Sequence, residues 1–192
     1  HVAAQKAIWR AEVASERPGI VPVCVALQAV LPDVTMIFSD MTQFAYGAKE
    51  VWDMPRAGHW HHPYGFGTLG YALPAAIGGA VARPGRPTCA IAGDYGLQYT
   101  IQELGTAVEL GLPLPILVWD NGKLGEIEDS MVRSQIAPNA VVAQNPDFIA
   151  LARAYGAYAD APADLPALQS AVLAAFAKDR PTLIRITPDI AG

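Results

Sequence analysis

The sequence has 192 residues, of which 52% are hydrophobic and 16% charged, with a formal net charge of −5. That is one domain's worth of chain with material for a large core. The acidic balance argues against a nucleic-acid binder, which carries a basic stripe. The longest apolar stretches, such as residues 73–82, are too short and Gly-rich to span a bilayer.

Residues 1–16 read as a weakly patterned helix, stopped by Pro18-Gly19. Residues 1–17 mix polar and apolar positions without a long apolar centre, so no secretory leader is expected. The chain opens on His rather than Met and reads as a piece of a longer polypeptide. In that reading residues 1–18 are an arm from a preceding domain and residues 19–192 form the domain itself. Residues 21–31 follow as an apolar helix closed by Pro32-Asp33. Residues 34–38 read as a strand ending in Ser39-Asp40, and 42–51 as a short helix. Residues 52–67 read as a loop rich in aromatics, Gly and Pro. It contains His59-Trp60-His61-His62, but no Cys or carboxylate stands at a metal-binding spacing, so surface or cofactor-flanking histidines are expected. The next helix carries Pro74 in its first turn, where it is tolerated. Its small residues suggest close packing against the sheet or a second subunit. Cys24 and Cys89 sit in apolar surroundings and read as buried free thiols, which fits a reducing cytoplasm.

The turn cluster Pro84-Gly85-Arg86-Pro87 introduces a short apolar run, residues 88–92, that reads as a buried strand. Residues 115–119 read the same way. Between them, residues 100–111 predict a helix, with Thr100 and Glu103 as a capping box, an apolar stripe through Leu104 and Val108, and Gly111 at the stop. A strand–helix–strand unit predicts a parallel, right-handed crossover, and parallel strands offer ligands their carboxyl ends. Asp94 and Asn121 lie just past those ends, 27 positions apart. A carboxylate and an amide oxygen suit a hard cation such as Mg2+. Gly93 and Gly96 let something bulky and anionic come close to the backbone. No Lys or Arg lies between Asp94 and Asn121, so a diphosphate held here would rely on the metal for neutralisation. Residues 137–146 then read as a loop, 147–155 and 165–178 as helices, and 182–187 as a last strand. At least four strands alternating with helices predict a doubly wound, mostly parallel α/β sheet with helices on both faces.

Gly93-Asp94 followed by Asn121 resembles the thiamin-diphosphate motif, usually written GDG, a gap, then NN. Gly67-Thr68-Leu69-Gly70-Tyr71-Ala72-Leu73-Pro74, Thr100-Ile101-Gln102-Glu103-Leu104 and Pro146-Asp147-Phe148 also resemble segments of that family. The likeness runs from roughly residue 19 to 187 and is to the carboxy-terminal diphosphate-binding domain of acetolactate synthases and 2-oxo-acid decarboxylases. It implies thiamin diphosphate and Mg2+ as cofactors and a small 2-oxo acid as substrate. Asp94, Asn121 and the Lys123 carbonyl would hold the metal. Gly67, Thr68, Leu69, Gly93, Tyr95, Gly96, Leu124 and Gly125 would surround the cofactor, with Leu69 propping its bent conformation and backbone N–H groups near Tyr95 and Gly96 on the phosphates. No catalytic side chain is implied within this chain. The Glu that activates the aminopyrimidine comes, in the family, from a pyrimidine-binding domain of a partner subunit. The chain alone is therefore expected to catalyse poorly, and the whole protein to be a homodimer or homotetramer. Two residues depart from the pattern: Tyr95 stands where the family has a small residue, and Asp120 replaces the first Asn.

Glu126, Ile127, Glu128 and Asp129 form an acidic stretch. A solvated helix face is the plainer reading. The sharper one places Glu126 or Glu128, with Ile127, against the substrate. There the carboxylate would pair with a cationic tail, a guanidino group above all, as in the 5-guanidino-2-oxopentanoate decarboxylases this region resembles. An acetolactate-synthase-type carboligase and a non-catalytic assembly fragment remain as alternatives. A nicotinamide-binding domain needs a Gly-rich turn and an acidic residue about 20 positions on, and no stretch supplies both.

Overall fold

The computed structural model describes every residue except Ala143. Helix α1 (Val2–Glu16) leads through Pro18 and Gly19 into α2 (Ile20–Gln28). There follow β1 (Met36–Ser39), α3 (Gln43–Val51), β2 (Trp60–His61), α4 (Ala72–Ala82), β3 (Thr88–Gly93) and α5 (Asp94–Tyr99). The second half contains α6 (Glu103–Glu109), β4 (Pro115–Trp119), α7 (Gly125–Arg133), α8 (Phe148–Ala154), β5 (Tyr158–Asp160), α9 (Leu165–Ala175) and β6 (Thr182–Ile186). A 3-10 turn, Pro188–Ala191, closes the chain.

All strand pairs are parallel, in the order β2-β1-β3-β4-β6-β5. Successive side chains on a strand point to opposite faces, and helices cover both faces here, so the inner strands are apolar throughout. Cys89 and Ile91 of β3, Leu117 and Trp119 of β4, and Ile184 and Ile186 of β6 pack under α1, α2, α3 and α9. Ala90 and Ala92, Ile116 and Val118, and Leu183 pack on the other face, under α4, α6 and α8. Helix α1 is mostly exposed but lays Val13 into the first of these clusters. The strand order reverses direction between β1 and β3, so the connections leaving them diverge and open a crevice at their carboxyl ends.

The expected α/β sheet is present, with local corrections. The capping box does not form. The Thr100 hydroxyl donates to the Gly70 carbonyl at 3.1 Å, and Glu103 accepts from Thr106. A tertiary acceptor has taken the hydroxyl that a local cap would use. The helix expected over 100–111 begins at Glu103, preceded by the separate α5. The loop expected over 52–67 contains β2, and β5 was not expected at all. Both are two- or three-residue edge strands, too short for a hydrophobic period. The helix expected over 165–178 ends at Ala175, and the one over 21–31 spans Ile20–Gln28. Helices α8 and α9 are side-chain capped by Asp147 and Asp164. Among the described residues no helix is long and apolar enough to cross a membrane.

Candidate cofactor site

A cavity of about 270 Å3 opens where β1, β3 and β4 end. The β3 end contributes Gly93, Asp94, Tyr95 and Gly96, and the β4 end contributes Asn121 and Lys123. Gly67 and Leu69 reach it from the turn before α4, and Leu124, Gly125, Glu126 and Ile127 from the start of α7. Thr42, Gln43 and Tyr46 complete it from the segment after β1.

Asp94 is 2% exposed. Its Oδ1 accepts from the Tyr95 N–H at 2.8 Å, and its Oδ2 accepts from the Gly122 N–H at 2.8 Å and from Asn145 Nδ2 at 2.7 Å. Burial pushes its carboxyl above the usual carboxylate range, while the Asn145, Tyr95 and Gly122 donors pull it back down and the charge of Asp120 adds to the rise. Asn121 Nδ2 donates to Gln43 Oε1 at 2.9 Å, which fixes which end of the amide is its oxygen. Gln43 in turn donates to Asp129 at 3.1 Å, so α3 ties the β4 end to α7. A Cβ on Gly125 would come within 2.5 Å of the Gln43 amide.

A second buried carboxylate stands behind the lining, at the end of β1. Asp40, fully buried just after β1, accepts from the Gly70 and Tyr71 N–H groups at 2.9 and 3.2 Å. Burial raises its carboxyl, opposed by the N–H donors of Gly70, Tyr71 and Met41. Gly70 takes φ +83°, a conformation open to glycine. A Cβ on Gly96 would sit 2.1 Å from Asp40 Oδ2, so the missing side chain at 96 is what lets the α5 backbone and this carboxylate meet.

The oxygen donors here suit a hard divalent cation: the Asp94 carboxylate, the Asn121 amide and the Lys123 carbonyl. Among the described residues no group of three or more His, Cys, Asp or Glu side chains converges on a metal position. A cation at this cavity would therefore complete its shell with oxygens brought by a ligand. Such a donor set would suit a Mg2+–diphosphate pair, and the backbone of Gly93 and Gly96 lines the same cavity, with Thr42 and Asp40 packed where side chains at 93 and 96 would stand.

Residues 40–186 match the family described as "Thiamine pyrophosphate enzyme, C-terminal TPP binding domain". The chain belongs to this family. It is 43% identical over 161 residues to a Pseudomonas aeruginosa protein described as "Probable 2-ketoarginine decarboxylase" (83% of this chain, 29% of that protein). It is 33% identical over 127 residues to the acetolactate synthase isozyme 2 large subunit of Escherichia coli (65% of this chain, 23% of that protein). A solved structure, the thiamine diphosphate-dependent 4-hydroxybenzoylformate decarboxylase of Rhodococcus jostii RHA1, matches with a TM-score of 0.80 at 27% identity. The match covers 86% of this chain and 32% of that one. The chain thus spans less than a third of the length of the relatives it matches.

Within this thiamin-diphosphate-binding domain, the residues expected around the cofactor or the substrate line this cavity, except Thr68 of the first set and Glu128 of the second. Thr68 is exposed and donates to the Leu69 carbonyl at 3.0 Å. Glu128 is turned to Lys123, with Nζ 2.6 Å from Oε2. Tyr95 is half-buried between the cavity and a shallow cleft with Gln98 and Tyr99. Glu126 lines the cavity, and its Oε1 accepts from Arg17 Nε at 2.9 Å. The Arg17 guanidinium is raised above its usual range, first by that hydrogen bond, with burial opposing it. The three histidines part company. His61 stacks on Phe38 at 4.5 Å, His59 meets the Ala57 carbonyl, and His62 meets Ser39 Oγ at 2.9 Å. Burial holds the His62 ring down at about 4. Asp40, Gln43, Asn145 and Arg17 escaped the sequence reading as site residues. Pro146-Asp147-Phe148 was a usable signal for the neighbourhood of Asn145 alone.

Proposed function

We propose that the intact protein is a thiamin-diphosphate-dependent decarboxylase acting on a 2-oxo acid with a cationic, guanidino-bearing tail. The observation that carries this reading is one cavity bordered by Asp94, Asn121 and Lys123 on one side and by the Glu126 carboxylate on another. The 43% identity to a protein named for 2-ketoarginine supports the same substrate class.

In this reading Asp94, Asn121 and the Lys123 carbonyl hold Mg2+, and the metal carries the diphosphate. The phosphates lie against the Gly93 and Gly96 backbone that lines the cavity, and Leu69 supports the cofactor from the apolar side. Bound thiamin diphosphate supplies the electron sink that loss of carbon dioxide from a 2-oxo acid requires. Glu126 Oε2 takes no hydrogen bond from any described residue and offers an acceptor to a guanidinium, a strong charge-assisted pair. The activating Glu is supplied by a pyrimidine-binding domain of a partner subunit, so the working unit is at least a homodimer. Two buried free cysteines suit a cytoplasmic setting.

The acetolactate synthase relatives support a second reading, a carboligase. Product analysis on the intact protein separates the two. An aldehyde from a guanidino 2-oxo acid is the expected result. An acetohydroxy acid from pyruvate would replace the first reading with the second, and an absence of Mg2+-dependent cofactor binding would leave only an assembly role.

A further inference from the structure

Asn145 does not line the cavity, yet it holds the carboxylate that does. Its Nδ2 lies 2.7 Å from Asp94 Oδ2 and 2.8 Å from Asp120 Oδ1. Ionised carboxylates only accept, so the nitrogen end of the amide faces both of them. The oxygen end receives Gln98 Nε2 at 3.2 Å, which agrees with that orientation. The other oxygen of Asp120 accepts from Arg185 Nε at 2.5 Å. A continuous line thus runs from Arg185 on β6, through Asp120 past β4 and Asn145 before α8, to Asp94 past β3.

The line resolves an electrostatic problem. Asp94 and Asp120 are 2% and 8% exposed and share one neighbour. Two close carboxylates out of water repel unless donors stand between and behind them. Asn145 stands between, and Arg185 stands behind Asp120. The same line explains the acid at 120, where the family pattern has Asn. An amide there would turn its own N–H2 toward either Arg185 or the Asn145 nitrogen.

Resting on the proposed cation site, we propose that Asn145 is a positioning residue for Mg2+: with Asp120 and Arg185 behind it, its amide fixes the Asp94 carboxylate in the pose that accepts the cation. Asn145, just before α8, is thereby part of the metal site although it supplies no ligand.

The test is calorimetric titration of Mg2+ into the intact protein at saturating thiamin diphosphate, for the wild type and for Asn145→Ala, Asp120→Asn and the double variant. Loss of such an outer partner weakens metal affinity roughly 10- to 100-fold, and Asn145→Ala is expected in that range. Asn145 acts on a pair of carboxylates, so its removal should cost much less once Asp120 is an amide, giving clear coupling in the cycle. Arg185→Gln, on a partly exposed side chain that leaves the core intact, should weaken Mg2+ binding by a smaller factor and serves if Asn145→Ala does not fold. Unchanged Mg2+ affinity in Asn145→Ala, even with a lowered melting temperature, would overturn the proposal, as would equal losses in both backgrounds or an unaltered Arg185→Gln. A wild type that binds no Mg2+ would instead remove the cation site itself.

Discussion

Asp94 and Glu126 border the same cavity and are held in different ways. Asp94 is locked by two backbone N–H groups and one amide at the ends of two central strands. Glu126 stands on α7, of which only Gly125 is buried, and one guanidinium, that of Arg17 just past α1, holds it. The strand ends cannot move without disturbing the sheet. A solvent-facing helix can change its residues at little cost to the fold. This division suits a family whose members share a cofactor and differ in substrate. In the proposed reading, the cofactor half would be built into the sheet and the substrate half carried on a helix that can vary.

Several substitutions can break or sharpen that contrast. The largest effect is expected at the locked end. Asp94→Asn should weaken Mg2+ binding, read by calorimetry with thiamin diphosphate present, by at least about a hundredfold, beyond the usual reach of outer-sphere changes. Near-normal affinity would show that the buried carboxylate is structural. Gly96→Ala should lower stability by about 1–3 kcal/mol, an overpacking cost, because its Cβ would meet Asp40 Oδ2 at 2.1 Å. An unshifted urea midpoint would mean that Asp40 yields more easily than its hydrogen bonds suggest. At the adjustable end, Glu126→Gln should raise KM for a guanidino 2-oxo acid about tenfold, the loss of one charge-assisted hydrogen bond, and leave KM for pyruvate nearly unchanged. Equal changes for both substrates would remove the charge-pairing role. The smallest effect belongs to Glu128→Gln. It loosens a partly exposed pair with Lys123 and should cost below about 1 kcal/mol in chemical denaturation.

What could be read from the chain follows the range of the interactions. Strands β3 and β4 announce themselves as apolar runs ending in Gly-Asp and Asp-Asn, and their parallel pairing puts Asp94 and Asn121 on one crevice. Gly93 and Gly96 read as places where the backbone admits a bulky anion, but the space of each missing Cβ is taken by a side chain, Thr42 at 93 and Asp40 at 96, and Gly125 packs on Gln43 in the same way without any local signal. The supporting residues were not legible. Asn145 meets Asp94 across 51 positions, Gln43 meets Asn121 across 78, and Arg17 meets Glu126 across 109. Such contacts leave no local period or spacing. The acidic stretch shows the same limit. Its helix was predictable, but which carboxylate faces the cavity depends on Arg17 and Lys123, which claim Glu126 and Glu128 in turn.

The central claim is that a cation bridges this domain's oxygens to a diphosphate. It is tested most directly by titrating thiamin diphosphate into the intact protein with Mg2+ and again with the divalent cations chelated. The account predicts tight binding in the first case and its collapse in the second, with restoration when Mg2+ is returned. Equal affinity with and without the cation would contradict it.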